Sequence, residues 1–309
     1  MQAFILAEPG NLQLTDLPTP TPAADEVLVQ VRAISLNPVD VKTVQGKAMY
    51  GRISAEQPVI PGWDVSGTVA AVGAAVTDFR VGDEVFGMVN FPGHGRAYAE
   101  YVAAPAAHLA RKPANISHEE AAAATLAALT AWQAFTAQVP VQAGQRVLVH
   151  AAAGGVGHFA VQLAKERGAY VIGTSSAAKR DFVLGLGADE HLDYQAGPFE
   201  QAGQPVDVVL DSLGGDNIVR SLTALRPGGR LVSILGMPPE ATALAEQRGL
   251  TAKAFLVESS GADMQQLAAR LADGRLRAQV AASLPFQELP EALQRVESGR
   301  TQGKVVVTL

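Results

Sequence analysis

The period of hydrophobic and polar positions changes twice along this chain, and the changes divide it into three stretches. Up to about residue 115, apolar and polar residues alternate in short runs separated by glycines, most clearly over residues 26–34. A period of two is typical of a half-buried strand. Many short strands joined by glycine turns therefore predict a small β-barrel.

The pattern changes at Ser117, which is followed three residues later by Glu120, and this pair predicts the start of a helix. From residue 145 onward, strand-like and helix-like runs alternate. The strand-like runs cover residues 146–150, 170–174, 206–211, 230–235 and 250–257, and the helix-like runs cover 155–167, 177–186 and 217–225, with a Pro-Gly-Gly stop at 227–229. This alternation predicts a parallel, doubly wound sheet.

After about residue 260 the alternation ends. Residues 262–272 and 288–298 have helical spacing, and residues 303–309 predict a terminal strand. No linker precedes this tail, so we expect it to return to the first domain. The sequence thus predicts a barrel domain made of residues 1–117 and 260–309, with an inserted doubly wound domain at residues 118–259.

The motif that carries most chemical information lies near the start of the inserted domain. The spacing Ala152-x-Gly154-x-x-Gly157 is the dinucleotide fingerprint with alanine in the first glycine position. A strand, a tight turn and a helix in this order present backbone N–H groups and a positive helix end to a pyrophosphate. Small residues also occur where a helix merely packs closely on a sheet, and this alternative stays open. The predicted cofactor contacts here are Ala153, Gly154, Gly155, Val156 and Gly157.

The end of the next strand predicts which nicotinamide cofactor binds. An NAD site places an Asp or Glu about twenty residues beyond the glycines, where it accepts a hydrogen bond from the ribose 2′-hydroxyl. Here Ser175 and Ser176 end the strand, no acid stands there, and Lys179 and Arg180 follow within a turn. Because a carboxylate repels a 2′-phosphate while cations and hydroxyls hold one, we predict NADP(H) bound by these four residues. The alternative is that Lys179 and Arg180 lie on a solvated helix face.

Composition narrows the class of protein. The 309 residues suggest two domains, and a net charge of -6 without a basic block argues against nucleic-acid binding. The chain has no cysteine, which excludes disulfides, thiolate nucleophiles and zinc held by cysteine, and no histidine spacing predicts a metal site. We expect His94 near the mouth of a cleft and His108, His118 and His191 at the surface. With no signal sequence and no long apolar run, we expect a cytoplasmic protein without a membrane segment.

Several motifs occur in the order found in a known family. They are Asn37-Pro38-Val39-Asp40 and residues 61–67, 81–85, 129–132, 151–157, 211–215 and 303–306. On these motifs the chain resembles a zinc-independent medium-chain dehydrogenase/reductase and is most similar to the NADPH:quinone oxidoreductases. The resemblance implies an α/β fold in which a GroES-like β-barrel catalytic domain carries an inserted Rossmann domain with a doubly wound parallel sheet. Asn37 and Trp63 stand where the zinc-dependent branch has metal ligands, so no metal site is expected.

The resemblance also implies roles for single residues. Asn37 is expected near the nicotinamide and the acceptor, where its amide donates a hydrogen bond, although an Asn before Pro38 can simply form a turn. Asp40 is expected to hold the loop. Tyr50, in a glycine-flanked loop, either donates a hydrogen bond to substrate or packs, and packing is favoured. The remaining residues assigned to the cofactor are Thr130, Tyr194, Leu235, Phe255, Leu256 and Val257.

The expected reaction is hydride transfer from NADPH to a quinone or an α,β-unsaturated carbonyl compound, because such acceptors are electron-poor and need no metal to polarise them. Two alternatives remain open: an enoyl-thioester reductase, and an NADPH-binding sensor with little turnover. The last strand of the inserted domain, at residues 250–257, is expected at a sheet edge. Because sheet edges invite pairing, we expect a homodimer.

Overall fold

The computed structural model describes residues 1–201 and 203–309, and these form two compact units. The first unit comprises Met1–Leu129 and Glu258–Leu309, and the second comprises Thr130–Val257. The second unit therefore interrupts the first, as an inserted domain does. The divisions fall after residues 129 and 257, whereas the sequence predicted them after residues 117 and 259.

Strands and helices follow one another in this order. The strands are β1 (Gln2–Glu8), β2 (Asn11–Asp16), β3 (Glu26–Leu36), β4 (Asp64–Val72), β5 (Glu84–Met88), β6 (Tyr101–Pro105), β7 (Leu109–Arg111), β8 (Arg146–Val149), β9 (Tyr170–Ser175), β10 (Glu190–Asp193), β11 (Val206–Asp211), β12 (Leu225–Ser233), β13 (Thr251–Ala254), β14 (Val280–Pro285) and β15 (Lys304–Thr308). The helices are α1 (Pro38–Val44), α2 (Tyr50–Ile53), α3 (His118–Ala123), α4 (Leu126–Gln133), α5 (Gly157–Glu166), α6 (Arg180–Gly185), α7 (Asp216–Ala224), α8 (Pro239–Gln247), α9 (Gly261–Ala272) and α10 (Leu289–Glu297).

The first unit is built around β3. This strand pairs antiparallel with β4, β6 and β15 in a seven-stranded sheet. Six of the strands follow the order β14-β15-β3-β4-β5-β7, and the seventh, β6, pairs with β3. Its apolar positions Val27, Val29, Val31 and Ile34 are buried in the main core of this unit. The C-terminal strand β15 pairs with both β3 and β14, so the last residues of the chain complete the sheet that β3 begins, while β1 and β2 form a separate two-stranded sheet.

Helix α3 explains why the first unit extends past its predicted boundary. The predicted helix start is confirmed: Glu120 N–H donates to the Ser117 hydroxyl at 3.1 Å, and Ser117 N–H donates to the Glu120 carboxylate at 2.8 Å. The helix then buries Ala121, Ala122 and Ala123 and packs against β3, β4 and β15. The alanine-rich stretch therefore belongs to the barrel core, although by composition it looks like the start of a new domain.

The second unit is a parallel sheet of order β10-β9-β8-β11-β12-β13, which confirms the predicted doubly wound fold. Strand order reverses between β8 and β11, and ligands of such sheets bind outside the carboxyl ends of the strands at this reversal. The Pro-Gly-Gly predicted as a helix stop lies inside β12, while α7 ends earlier, at Ala224. None of the helices in the described part of the chain is long and apolar enough to cross a membrane.

Candidate cofactor and active site

The turn between β8 and α5 needs glycine at its last position. A Cβ on Gly157 would come within 2.2 Å of the Ala151 carbonyl oxygen, and one on Gly154 would come within 3.1 Å of the same atom. Ala151 itself has a positive φ of 47°, so the backbone folds tightly at this point. These close approaches let the first turn of α5 pack directly over the end of β8.

Ala152, which replaces the first glycine of the fingerprint, is accommodated by a glycine on the neighbouring strand. Its side chain is fully buried, and its N–H donates to the Thr174 carbonyl at 2.9 Å. A Cβ on Gly173 of β9 would lie only 2.8 Å from the Ala152 Cβ. The methyl group of Ala152 therefore fills space that Gly173 leaves open, and the substitution keeps the turn intact.

The N-terminus of α5 offers backbone donors to an anion. Val156 is the N-cap and makes no side-chain capping bond, and Gly154, Gly155 and Val156 are only half-buried. The Gly154 N–H already donates to the Ala151 carbonyl at 2.8 Å, and the His158 N–H donates to the Gly154 carbonyl at 3.1 Å. The remaining N–H groups of this turn carry the positive end of the helix dipole and are the ones directed to an anion. The cradle that glycine leaves here, together with these donors, fits the pyrophosphate of a dinucleotide.

A buried histidine holds this turn in place through hydrogen bonds to two hydroxyl groups. The two ring nitrogens of His150 lie 3.2 Å from the Thr174 hydroxyl and 2.9 Å from the Ser221 hydroxyl. The Ala151 N–H donates to the same Thr174 hydroxyl at 3.3 Å. Burial lowers the pKa of His150 to about 4, so the ring is neutral and acts as a structural hydrogen-bonding group.

The predicted 2′-phosphate residues lie together where β9 ends. Ser175 is buried, Ser176 and Lys179 are partly buried, and Arg180 is exposed at the start of α6. Burial lowers the pKa of Lys179, and the Arg180 guanidinium lies 3.5 Å from the carboxylate of the adjacent Asp181. The solvated-face alternative therefore describes Arg180 better than Lys179.

Exposed apolar side chains mark the same edge of the sheet. Tyr194, Leu213, Leu235 and Leu256 are 44–56% exposed, and each follows the carboxyl end of one strand from β10 to β13. Tyr194 N–H also donates to the Ser175 carbonyl at 3.3 Å, which places the tyrosine at the end of β9. Apolar groups left open along this edge suit the rings and ribose faces of a bound dinucleotide.

Of three other residues predicted to contact the cofactor, two are buried and one takes part in sheet pairing. Thr130 is buried within α4, and Val257 is buried after β13. Phe255 N–H donates to the Ser233 carbonyl at 3.0 Å, which extends the pairing of β12 and β13 by one bond. The alternative of a sheet strand thus describes Phe255, and its assignment to the carboxamide stays a prediction.

In the first unit, Asn37 lies at the centre of a buried polar cluster. Its backbone N–H donates to Asp40 Oδ2 at 2.6 Å, at the start of α1. Its side-chain Nδ2 donates to Asp64 Oδ2 at 2.8 Å, and its Oδ1 accepts a hydrogen bond from the Lys304 ammonium group. Asp64 also accepts from the N–H of Leu126 at 3.0 Å. All four polar side chains are at most 3% exposed.

Charges in this cluster are shifted toward their neutral forms. Burial, followed by repulsion from the Asp64 carboxylate, raises the pKa of Asp40 from 3.8 to about 7. Burial likewise raises the pKa of Asp64 and lowers that of Lys304. The ring of Tyr98 is fully buried beside these carboxyl groups, and burial raises the pKa of its hydroxyl. The charge of Lys304 opposes these increases, since it lowers the pKa of both Asp40 and Asp64.

Tyr50 and His94 differ from their expected surroundings. Tyr50 begins the short helix α2 instead of lying in a glycine loop, and it packs against Leu6, Ile53 and Val59. His94 is only 8% exposed, and its Nε2 lies 3.1 Å from the backbone nitrogen of Ile60. The packing interpretation of Tyr50 is thus the one that its contacts favour, and His94 joins two loops inside the barrel unit.

Two residues that contribute to these sites had no role predicted from the sequence. Lys304 was part of a family motif without a function, because its partners are far away in the chain. His191 was expected at the surface, but it is partly buried and its Nε2 lies 2.8 Å from the Ser175 hydroxyl oxygen. The one sequence feature that indicated a role for His191 is its position near the end of the strand that precedes Tyr194.

The residues at the family's zinc positions do not fit a metal ion. The Oδ1 atom of Asn37 accepts from the Lys304 ammonium group, and the indole N–H of Trp63 donates to the Gly93 carbonyl at 2.7 Å. Within residues 1–201 and 203–309, no group of three or more His, Cys, Asp or Glu side chains could hold a metal. The Lys304 ammonium group therefore occupies the side-chain oxygen of Asn37, which is the atom that would have to bind a metal.

Fold and site together define a class: a dinucleotide-binding oxidoreductase with a GroES-like barrel and an inserted Rossmann unit. The family model described as alcohol dehydrogenase GroES-like domain matches residues 23–114, and the model described as zinc-binding dehydrogenase matches residues 186–307. The chain belongs to the medium-chain dehydrogenase/reductase family, in the group of quinone oxidoreductases and alkenal/one reductases.

Three relatives illustrate this similarity. The NADPH-dependent alkenal/one oxidoreductase of Arabidopsis thaliana chloroplasts is 33% identical over 99% of this chain and 79% of its own length. A quinone oxidoreductase structure from Coxiella burnetii has a TM-score of 0.91 and 34% identity, covering 100% of this chain and 98% of the other. The Escherichia coli quinone oxidoreductase complexed with NADPH has a TM-score of 0.88 and 28% identity over 100% of both chains.

Replacing Asp40 by Asn tests the buried cluster through its pH dependence. The pKa of Asp40 is about 7 in the folded protein against an ordinary 3.8, so the folded state holds the extra proton between these values. The free energy of unfolding therefore falls as the pH rises through this window. We expect Asp40→Asn to gain about 1–3 kcal/mol relative to the wild type between about pH 5 and pH 8.

The measurement is the urea midpoint of both proteins at each pH, with exposed Asp16→Asn as the matched control. The control should keep a constant difference from the wild type. A difference between Asp40→Asn and the wild type that does not change with pH would show that Asp40 is ionised at both ends of the range.

Proposed function

We propose that this chain is an NADPH-dependent oxidoreductase that transfers hydride to a quinone or an α,β-unsaturated carbonyl compound without zinc. The observation that carries the proposal is the end of β9, where Ser175, Ser176 and Lys179 stand together and no carboxylate ends the strand. This set suits a ribose 2′-phosphate and not a free 2′-hydroxyl. The names of the relatives, which include an NADPH-dependent alkenal/one oxidoreductase and quinone oxidoreductases, support the same chemistry.

The residues of the second unit hold the cofactor in this proposal. The turn at residues 153–157 binds the pyrophosphate through backbone N–H groups, because α5 begins there without a side-chain cap. Ser175, Ser176, Lys179 and Arg180 hold the 2′-phosphate, and Tyr194 covers the adenosine side. Thr130, Leu235 and the segment Phe255, Leu256, Val257 are assigned to the nicotinamide half. When bound, NADPH supplies the hydride.

Asn37 is proposed to hold the oxygen of the acceptor. An Asn amide has two N–H donors, and one of them is directed to Asp64. Lys304 binds Oδ1, so the amide cannot turn its oxygen toward a substrate carbonyl. The second N–H is thus the group that stabilises negative charge on the acceptor oxygen as hydride is added. Tyr50 packs against Leu6, Ile53 and Val59, and its hydroxyl is the second proposed donor to the acceptor.

An acceptor panel tests the reaction. With NADPH in the presence of 1,4-benzoquinone or a 2-alkenal, we expect the absorbance of the reduced nicotinamide to fall, because these acceptors are electron-poor without a metal. Crotonyl-CoA tests the enoyl-thioester alternative, and rates should be unchanged by a metal chelator. NADPH binding without oxidation by any acceptor would contradict the reductase and favour the sensor alternative.

Substitutions at the end of β9 test the cofactor. We expect Lys179→Ala and Arg180→Ala each to raise the KM for NADPH about tenfold, because each removes one cation from the phosphate, and to leave the KM for NADH almost unchanged. Lys179 should have the larger effect, since it is the more buried of the two. Steady-state rates with both nicotinamides give the answer, and Lys165→Ala on the outer part of α5 is the control. A wild type that uses NADH equally well would overturn the assignment.

We also propose that the protein is a homodimer joined at β13. In the described residues this strand pairs only with β12, and it forms the edge of the six-stranded sheet. Its outer backbone groups can pair with the same strand of a second copy across a two-fold axis. Light scattering at micromolar concentration should give twice the chain mass of 32.1 kDa. A monomer mass under these conditions would refute the dimer.

A further inference from the structure

His191 lies on β10 directly beside the end of β9. The parallel register sets Asp193 next to Ser175 and His191 next to Gly173. The imidazole reaches along the sheet to the Ser175 hydroxyl, with Nε2 at 2.8 Å from the oxygen. Ser175 is only 4% exposed, so few other groups can reach its hydroxyl.

The hydroxyl proton of Ser175 can serve one acceptor at a time. In the structure Ser175 donates to the Ser176 carbonyl at 3.1 Å. His191 Nε2 must then carry a hydrogen and donate to the hydroxyl oxygen, since a serine hydroxyl has one proton and two lone pairs. If Nε2 were instead an acceptor, it would take the proton that a phosphate oxygen needs. A neutral imidazole can present either a hydrogen or a lone pair at Nε2, whereas a protonated imidazole can only donate, so protonation fixes the role of His191 as a donor to Ser175.

We propose that His191 is a positioning residue of the 2′-phosphate site. When its ring is protonated, it donates to Ser175 from behind, leaves the hydroxyl proton for a phosphate oxygen, and so couples binding of a 2′-phosphorylated nucleotide to proton uptake. This inference rests on the proposed NADPH dependence, and it adds a residue and a pH response that the cofactor assignment does not contain.

The charges around the ring favour such coupling. Asp193 on the same strand and Arg180 at the start of α6 act on His191, whereas the facing residues of β9, Gly173 and Ser175, are neutral. Burial, with the Arg180 charge, lowers the pKa of His191, and Asp193 opposes this. A phosphate monoester brings nearly two negative charges and raises the pKa of the ring. Between the two pKa values each bound ligand takes up a proton, so the Kd falls as the pH falls.

Binding of 2′,5′-ADP and 5′-AMP to the full chain tests the inference by calorimetry. The phosphate of 2′,5′-ADP itself titrates near a pKa of about 6, so the wild type is compared with His191→Gln, whose amide can donate but cannot become charged. We expect the wild type to bind 2′,5′-ADP about fivefold more tightly than the variant at about pH 6.5 and within about twofold at about pH 8.5. Affinity for 5′-AMP should be equal in both proteins.

A second measurement uses the wild type alone. The imidazole proton resonance of His191, assigned by its loss in His191→Gln, should report a pKa that rises by about one unit with 2′,5′-ADP and does not move with 5′-AMP. An affinity ratio that is independent of pH, or an unmoved pKa with 2′,5′-ADP bound, would overturn the role of His191 alone. If 2′,5′-ADP binds no better than 5′-AMP, the proposed cofactor fails as well.

Discussion

The buried ammonium group of Lys304 organises the barrel unit around Asn37. It donates to the carbonyl of Leu36 at 2.8 Å and to the side chain of Asn37, which in turn donates to Asp64. These contacts join the last strand of the chain to the end of β3, the start of α1 and the start of β4. Breaking one partner of a buried ion cluster typically costs about 3–5 kcal/mol, so the C-terminal strand is held in place by charge as well as by sheet pairing.

The same interaction determines what Asn37 is able to do. A side-chain amide can turn about its terminal bond, and its oxygen and nitrogen then exchange places. Lys304 has only donors and Asp64, when ionised, has only acceptors, so the two together allow one orientation of the Asn37 amide. An oriented donor that does not reorganise during the reaction is what stabilisation of a developing oxyanion requires. The ion cluster is thus a structural feature with a direct consequence for the proposed chemistry.

Local patterns were sufficient to predict some of this structure. The capping pair Ser117 and Glu120 depends on residues three apart, and the turn before Gly157 depends on five consecutive residues, so both could be read from the sequence. Strand β10 does not stand out in the sequence as an apolar run, because it is four residues long and half-buried throughout. The boundary of the barrel unit was misplaced because the alanines of α3 show their burial only against strands distant in the chain.

The polar contacts were less predictable for the same reason. Lys304 and Asn37 are 267 positions apart, and His191 and Ser175 are 16 apart on parallel strands. No periodicity in a sequence indicates which polar side chains will meet across such distances. Burial makes these contacts selective, since an unpaired polar group costs more in the interior than at the surface. Residues of this kind become recognisable only once the register of the strands is known.

Cofactor choice is a difference between two binding free energies, and in the proposed site the end of β9 shapes both of them. Ser175 can donate to a phosphate or to a ribose hydroxyl, so it does not discriminate by itself. The cations Lys179 and Arg180 favour phosphate, whereas the carboxylate of Asp193, one strand away, opposes it. Asp193 accepts from the Gln195 N–H at 3.0 Å, which directs part of its charge into its own turn. In the proposed site, the ring of His191 shifts this balance toward the phosphate, because the arrival of negative charge itself favours the protonated ring.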